Sequence, residues 1–111
     1  MQKKFNSFKQ FYPFYLSEHM NSICRIFHFI GTYFVIIIIL ISSINMKVLY
    51  FAPICGYGFA WIGHFFFEKN RPATFKYPLY SFMGDWMMFK DILMRKESII
   101  NPTLPLNLEK D

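Results

Sequence analysis

Two blocks of this 111-residue chain carry no Asp, Glu, Lys or Arg, and only the short stretch Ile44–Lys47 (INMK) joins them. They are Ile26–Ile44 (IFHFIGTYFVIIIILISSI) and Val48–Phe67 (VLYFAPICGYGFAWIGHFFF), nineteen and twenty residues long. As helix, about 20 apolar residues cross the ~30 Å hydrocarbon core of a bilayer. The soluble alternative needs two core helices apolar on every face, and a chain this short has too little remaining sequence to surround them. The expected fold is therefore all-α: an integral membrane helical hairpin with spans at about 26–44 and 48–67. The first block starts well inside the chain, lacks a small-x-small cleavage site and is followed at once by a second span, so it does not read as a removable leader.

Composition agrees. Hydrophobic residues make up 54% and aromatic residues 22%, while charged residues fall to 17%, against roughly 25% in soluble domains. That balance excludes disordered and collagen-like chains. Cys24 and Cys55 do not make a disulfide. Counted from a turn near Met46 they differ in depth by thirteen residues, about 20 Å along a helix axis. The length suits one unit, so residues 1–111 are expected to form a single membrane domain.

Lys3, Lys4, Lys9 and Arg25 precede the hairpin, Lys47 sits in its turn, and Lys69, Arg71 and Lys76 follow it. This seven-to-one excess predicts that both hairpin ends are cytoplasmic, in the cell membrane of a bacterium or the endoplasmic reticulum of a eukaryote. The formal net charge of +5 then reads as topology and attraction to anionic headgroups. Cations that flank spans do not line one surface, so membrane lipids, not nucleic acid, are the expected partners. A homo-oligomer is compatible with the same pattern.

The flanks are less uniform. Phe5–Leu16 is aromatic and interrupted by Pro13, in the manner of an interfacial element. Pro78 suits the first turn of a helix over about 78–94, which is apolar apart from Asp85, Lys90 and Asp91. A crossing there would carry Arg95 and Lys96 outside, which favours an interfacial or re-entrant helix over a third span. The tail, residues 101–111, holds two prolines and is expected to be a loose arm.

Histidines bring chemistry into this frame. His28 lies eighteen residues before Met46 and His64 eighteen after it, so an antiparallel hairpin sets both at one depth, just inside the cytoplasmic boundary. On the second helix Ala52, Gly56, Ala60 and His64 recur every fourth residue, while Gly31 and Thr32 follow His28 on the first. Such small-residue faces let membrane helices approach closely, and both imidazoles are expected in one seam. Ionisable groups inside a membrane are costly and mark function. Glu68 follows His64 by one helical turn and could share a ligand with it, or pair with Lys69 or Arg71. His19, nine residues before His28, would face away on a continuous helix; an N-cap at Asn21 would start the span there and leave His19 free to fold back.

Three histidines with Glu68 and Asp85 nearby suit one metal ion. Imidazole with carboxylate binds Fe(II), Zn or Mn, and two histidines with one carboxylate are typical of non-haem Fe(II) oxygenases. A bis-His haem between His28 and His64 and a non-catalytic helix-packing or lipid-binding module are the alternatives. There is no nucleophile elbow, phosphate loop or Cys-based zinc motif.

Two stretches, Phe11–Ile36 and Gly56–Leu93, resemble a family of small membrane proteins whose fungal member is a 2-hydroxy fatty acid dioxygenase of the endoplasmic reticulum. The residues that carry the resemblance are His19, Asn21, His28 and Gly31, and then Gly63, His64, Glu68, Pro72 and Ala73. The resemblance implies Fe(II)-dependent α-oxidation, in which a 2-hydroxy fatty acid and O2 give the acid one carbon shorter. By matching motif positions it makes His19, His28 and His64 metal ligands. Glu68 becomes a further catalytic residue, as ligand or hydrogen-bonding partner; Asp85, a carboxylate in the apolar helix over about 78–94 and not part of the matched motifs, is expected as an outer partner. Lys69 and Arg71, at headgroup depth, are expected with Asn21 to bind the substrate.

Overall fold

The computed structural model describes residues 5–102, among which every regular element is a helix and no strand occurs. Helices α1 (Phe8–Ser17), α2 (Ser22–Ser42), α3 (Phe51–Ile62) and α4 (Pro78–Leu93) are joined by short irregular turns. The tail expected as a loose arm lies, past Pro102, outside the described residues.

Capping decides where the first rod begins. The Asn21 side chain accepts the backbone N–H groups of Ile23 and Cys24 at 2.9 and 3.1 Å, satisfying two amides that a helix start leaves without partners. At the turn, Asn45 accepts the Lys47 N–H at 3.1 Å, and a 3₁₀ turn over Met46–Tyr50 runs into α3. After α3 the backbone widens into a π-helical turn, Gly63–Glu68, which closes at Lys69 in the left-handed region with φ 64°.

Two rods, Ser22–Ser42 and Met46–Glu68, are long and apolar enough to cross a membrane. Only 28% and 11% of their apolar windows are buried inside the protein, whereas the core helix of a soluble protein is mostly buried. Leu40, Ile44, Ile54 and Phe66 are among many large apolar side chains left facing outward. The first rod starts four residues before the charge-free block, and the one charge this adds, Arg25, turns inward. Its side chain is fully buried, with Nη1 2.9 Å from Glu97 Oε1 and from the Ser98 carbonyl, and Nε donates to the carbonyl of His19. Arg25 therefore ties the chain after α4 to the start of α2.

Small residues set how closely α2 and the second rod pack. A methyl group at Gly63 would stand 3.1 Å from Cys24 Cα and 3.3 Å from its carbonyl oxygen, so the rods touch backbone to backbone one residue before His64. Gly58 is the opposite case, with open space around it.

Helices α1 and α4 pack on each other, and α4 packs on α2. Phe11, Tyr15, Leu16 and Met88 form their buried core, with Phe5, Phe14, Tyr77 and Tyr80 around it. Pro78 opens α4 at its first turn, as expected. Pro13, by contrast, does not interrupt α1 but lies within it. An interior proline costs about 3 kcal/mol, and burial of Phe11, Tyr15 and Leu16 on one face, at about 1.5–3 kcal/mol per large side chain, outweighs it. Gly84 admits the Tyr15 ring: a methyl there would lie 2.7 Å from Tyr15 Cδ2.

Gly63→Ala should lower the thermal unfolding midpoint in detergent, by the equivalent of about 1–3 kcal/mol, because backbone cannot yield as a flexible side chain would. Gly58→Ala should hold or raise the midpoint, since it removes a helix-interior glycine and meets nothing. Equal midpoints for the two variants would show that the Cys24–Gly63 contact does not limit packing.

Candidate metal centre

Each histidine arrives from a different element. His19 follows α1 in the link that Asn21 ends, His28 projects from the second turn of α2, and His64 lies in the π-helical turn. All three are buried, with exposures of 1%, 5% and 2%. Their ring centroids stand 4.4, 4.4 and 4.8 Å apart, and one nitrogen of each lies within 4.8 Å of the others.

Hydrogen bonds fix which nitrogens face the centre. His19 Nδ1 is 2.6 Å from the Tyr15 carbonyl, His28 Nδ1 is 3.0 Å from the Cys24 carbonyl, and His64 Nδ1 is 2.7 Å from Asn70 Oδ1. These partners can only accept, so each Nδ1 carries the proton and each Nε2 keeps its lone pair. The Asn70 amide is held in that sense because its Nδ2 donates to the Glu18 carbonyl at 3.0 Å. Burial and the two neighbouring imidazoles hold the His19 pKa well below the usual histidine range, which keeps the ring neutral and able to ligate.

The donor set fits a metal ion. Two nitrogens bound at about 2.1 Å and at right angles on one ion stand about 3 Å apart; His19 Nε2 and His28 Nε2 are 3.1 Å apart. Lone pairs so aimed repel each other unless a cation stands among them. Each ligand is also oriented by an acceptor on its far nitrogen, the usual outer arrangement of metal-bound histidine. A cavity of about 20 Å³ adjoins the three rings, room for an ion or a water and far too small for a porphyrin. The bis-His haem alternative does not fit these residues.

Asp85 is the carboxylate beside this centre. Its Oδ1 accepts the Tyr15 hydroxyl and lies 4.0 Å from His28 Nε2. Its side chain is 32% accessible, but that surface opens on a largely apolar groove, and this setting pushes the carboxyl up to about 7. Glu68 is used differently. Its Oε1 accepts the Asn21 N–H at 2.6 Å, joining the end of the second rod to the start of the first, and it is not one of the clustered donors. The widened π turn breaks the one-turn relation to His64 that a regular helix would give. Asn21 caps α2 and its Nδ2 donates to the Phe67 carbonyl at 3.2 Å. Lys69 and Arg71 are exposed, Arg71 lies over the Phe75 ring at 5.5 Å, and neither lines the cavity beside the histidines.

Three residues of the centre escaped the sequence reading. Asn70 sits between Lys69 and Arg71, whose charges dominate that stretch of sequence. Tyr15 stacks on His19 at 4.0 Å and was one aromatic among many. Ser81 lines the small cavity, and its buried hydroxyl has no partner among the described residues. A histidine in a span calls for an acceptor nearby, and that rule alone would have pointed to Asn70.

Asn70→Ala should weaken metal binding by about 10–100-fold while leaving the protein in the membrane, because insertion depends on the apolar rods. Metal titration of the chelator-stripped, detergent-solubilised protein measures this. An affinity equal to that of the unsubstituted chain would show that Asn70 does not orient His64.

Searches of curated proteins and of solved structures find no match. A family model does match, over residues 5–97, and its description is 2-hydroxy-palmitic acid dioxygenase Mpo1-like. The match spans α1 to the end of α4, and with it the three histidines, Tyr15, Asn70, Ser81 and Asp85, so the chain belongs to the Mpo1-like family.

Proposed function

We propose that the protein is an Fe(II)-dependent dioxygenase that converts 2-hydroxy fatty acids to acids one carbon shorter. The observation that carries this reading is the convergence of three neutral imidazole lone pairs beside an apolar groove, in a family described by that activity. His19, His28 and His64 would hold the iron, which supplies activation of O2 and open positions for the substrate's carboxylate and hydroxyl.

The remaining steps belong to the protein. The carbonyls of Tyr15 and Cys24 and the Asn70 amide keep each Nδ1 protonated and each ring in place. Asp85, beside His28 and steadied by Tyr15, would accept the proton of the 2-hydroxyl, and Ser81, on the small cavity, would donate to a substrate oxygen. The C1–C2 bond breaks, C1 leaves as carbon dioxide, and C2 becomes the new carboxyl. This oxidation releases four electrons, the number that reduces one O2 to the oxygen of the new carboxyl and one water. No separate reductant is required.

The basic residues support a hairpin with both ends cytoplasmic. Arg25 is buried against Glu97, and six cations at the ends against Lys47 in the turn still favour that orientation. A reporter fused after Arg71 should read cytoplasmic and one inserted at Asn45 external; the reverse at both sites would overturn the orientation.

Protein reconstituted with Fe(II) and given O2 and 2-hydroxypalmitate should yield the fifteen-carbon acid, and palmitate should not react. Removing the hydroxyl takes away one arm of the chelate and leaves polar groups of the site unpaired. Chelation and His64→Ala should each stop turnover, and Asp85→Asn should lower kcat by about 10²–10⁴-fold if it takes the proton. Equal reaction of both acids, or turnover that survives chelation, would exclude the dioxygenase reading. Iron binding without reaction of either acid would assign the centre to another substrate.

A further inference from the structure

A groove of about 310 Å³ starts at His28 and Asp85 and runs along the hairpin toward its turn, where Ile39 and Leu49 line it. Along α2 this is eleven residues, about 16 Å of helix axis. The volume is at the small end of ligand cavities and suits one narrow occupant. Apart from the polar groups at its mouth, the lining is apolar.

The row Ala52, Gly56 and Ala60, which the sequence suggested as a helix-packing face, lines this groove. A methyl at Gly56 would make only ordinary contact, 3.4 Å from Val35 Cγ2. Gly56 itself is thus not needed for close approach of the rods, which at this level falls to Gly31, where a methyl would stand 3.0 Å from Phe59 Cβ and 3.3 Å from the Cys55 carbonyl oxygen. Small side chains along one flank instead keep a channel open between α2 and α3, and Phe82 and Trp86 of α4 flank it.

We infer that this groove seats the hydrocarbon tail of the substrate, with its headgroup at His28 and Asp85 and its methyl end toward Ile39 and Leu49, and that Ala52 sets how long a tail fits. The inference rests on the dioxygenase reading for the headgroup chemistry, but the tail site stands on the groove itself. Its occupant is a single-chain acid because the polar mouth is continuous with the metal centre. Lipid tails are as apolar as the lining, so the groove adds little affinity by exclusion of water. It selects by shape and by where it holds the carbon beside the carboxyl.

The test separates the tail site from the reaction. The chain has two tryptophans, and the Trp61→Phe background leaves Trp86, on the groove, as the only tryptophan, excited at the red edge of the absorption band where the tyrosines do not absorb. A 2-hydroxy fatty acid brominated in mid-chain, added to iron-loaded protein in bilayers, should quench Trp86 at least several-fold more strongly than phospholipid brominated at the same depth and mole fraction. Ala52→Phe should abolish that preference and lower the turnover ratio of sixteen-carbon to eight-carbon 2-hydroxy acid by at least tenfold. Leu49→Ala should shift the ratio the other way.

Equal quenching by acid and phospholipid would overturn the inference, since the groove would then be ordinary lipid contact. An unchanged chain-length ratio in Ala52→Phe, with iron retained, would also overturn it while leaving the dioxygenase reading intact. Selective quenching without any product would leave the groove standing and remove that reading. Should Ala52→Phe fail to fold, the comparison of the two brominated probes decides alone.

Discussion

Three lone pairs pointed at one spot in a water-poor interior form an arrangement that disfavours itself. Neutral imidazoles there repel through their nitrogens, and the low surrounding dielectric sharpens the repulsion. The protein holds them together by giving every Nδ1 an acceptor of its own. Two of those acceptors are helical carbonyls four residues back along the chain, and the third is an amide fixed by the Glu18 carbonyl. The helices, caps and turns around the centre can be understood as what is needed to bring those acceptors and rings to one place. A centre assembled in this way has a standing electrostatic demand for a cation, which is the property a metalloenzyme needs.

Much of this was legible in the sequence, for identifiable reasons. A hairpin with a short turn converts distance along the chain into depth, so equal spacing of His28 and His64 from Met46 could be read directly as proximity. Asn21 could be read as a cap because capping chemistry is local. His19 could not be placed by periodicity, since its position depends on a break in the helix, and it entered chiefly through resemblance to a family. The orienting partners were illegible for another reason. Tyr15 and Cys24 contribute backbone carbonyls, which carry no residue signature, and Asn70 reaches His64 only because the backbone widens into a π turn over Gly63–Glu68. That same widening separates Glu68 from the role its spacing suggested and delivers it to the Asn21 amide.

The small-residue row shows how one pattern supports two structures. Ala52, Gly56 and Ala60 recur as in a tight helix crossing, and the sequence cannot distinguish residues that are small so that helices touch from residues that are small so that something else fits. In this hairpin the tight contacts are at Gly63 against Cys24 and at Gly31 against Cys55 and Phe59, whereas Ala52, Gly56 and Ala60 border the open groove beside them. Close contact along one line and a gap beside it let one pair of helices both hold the histidines together and keep a groove open.

The Arg25–Glu97 pair has a consequence in time. Arg25 emerges early in synthesis, with the first rod directly behind it, while Glu97 follows the last helix. Until Glu97 has been made, Arg25 lacks this carboxylate, and a pairing across 72 residues waits for the last helix. Once α4 is in place the same guanidinium is drawn inward, neutralised, and bonded to the carbonyl of His19. One side chain thus joins the two ends of the described fold, and the His19 carbonyl it holds depends on a segment that is made last.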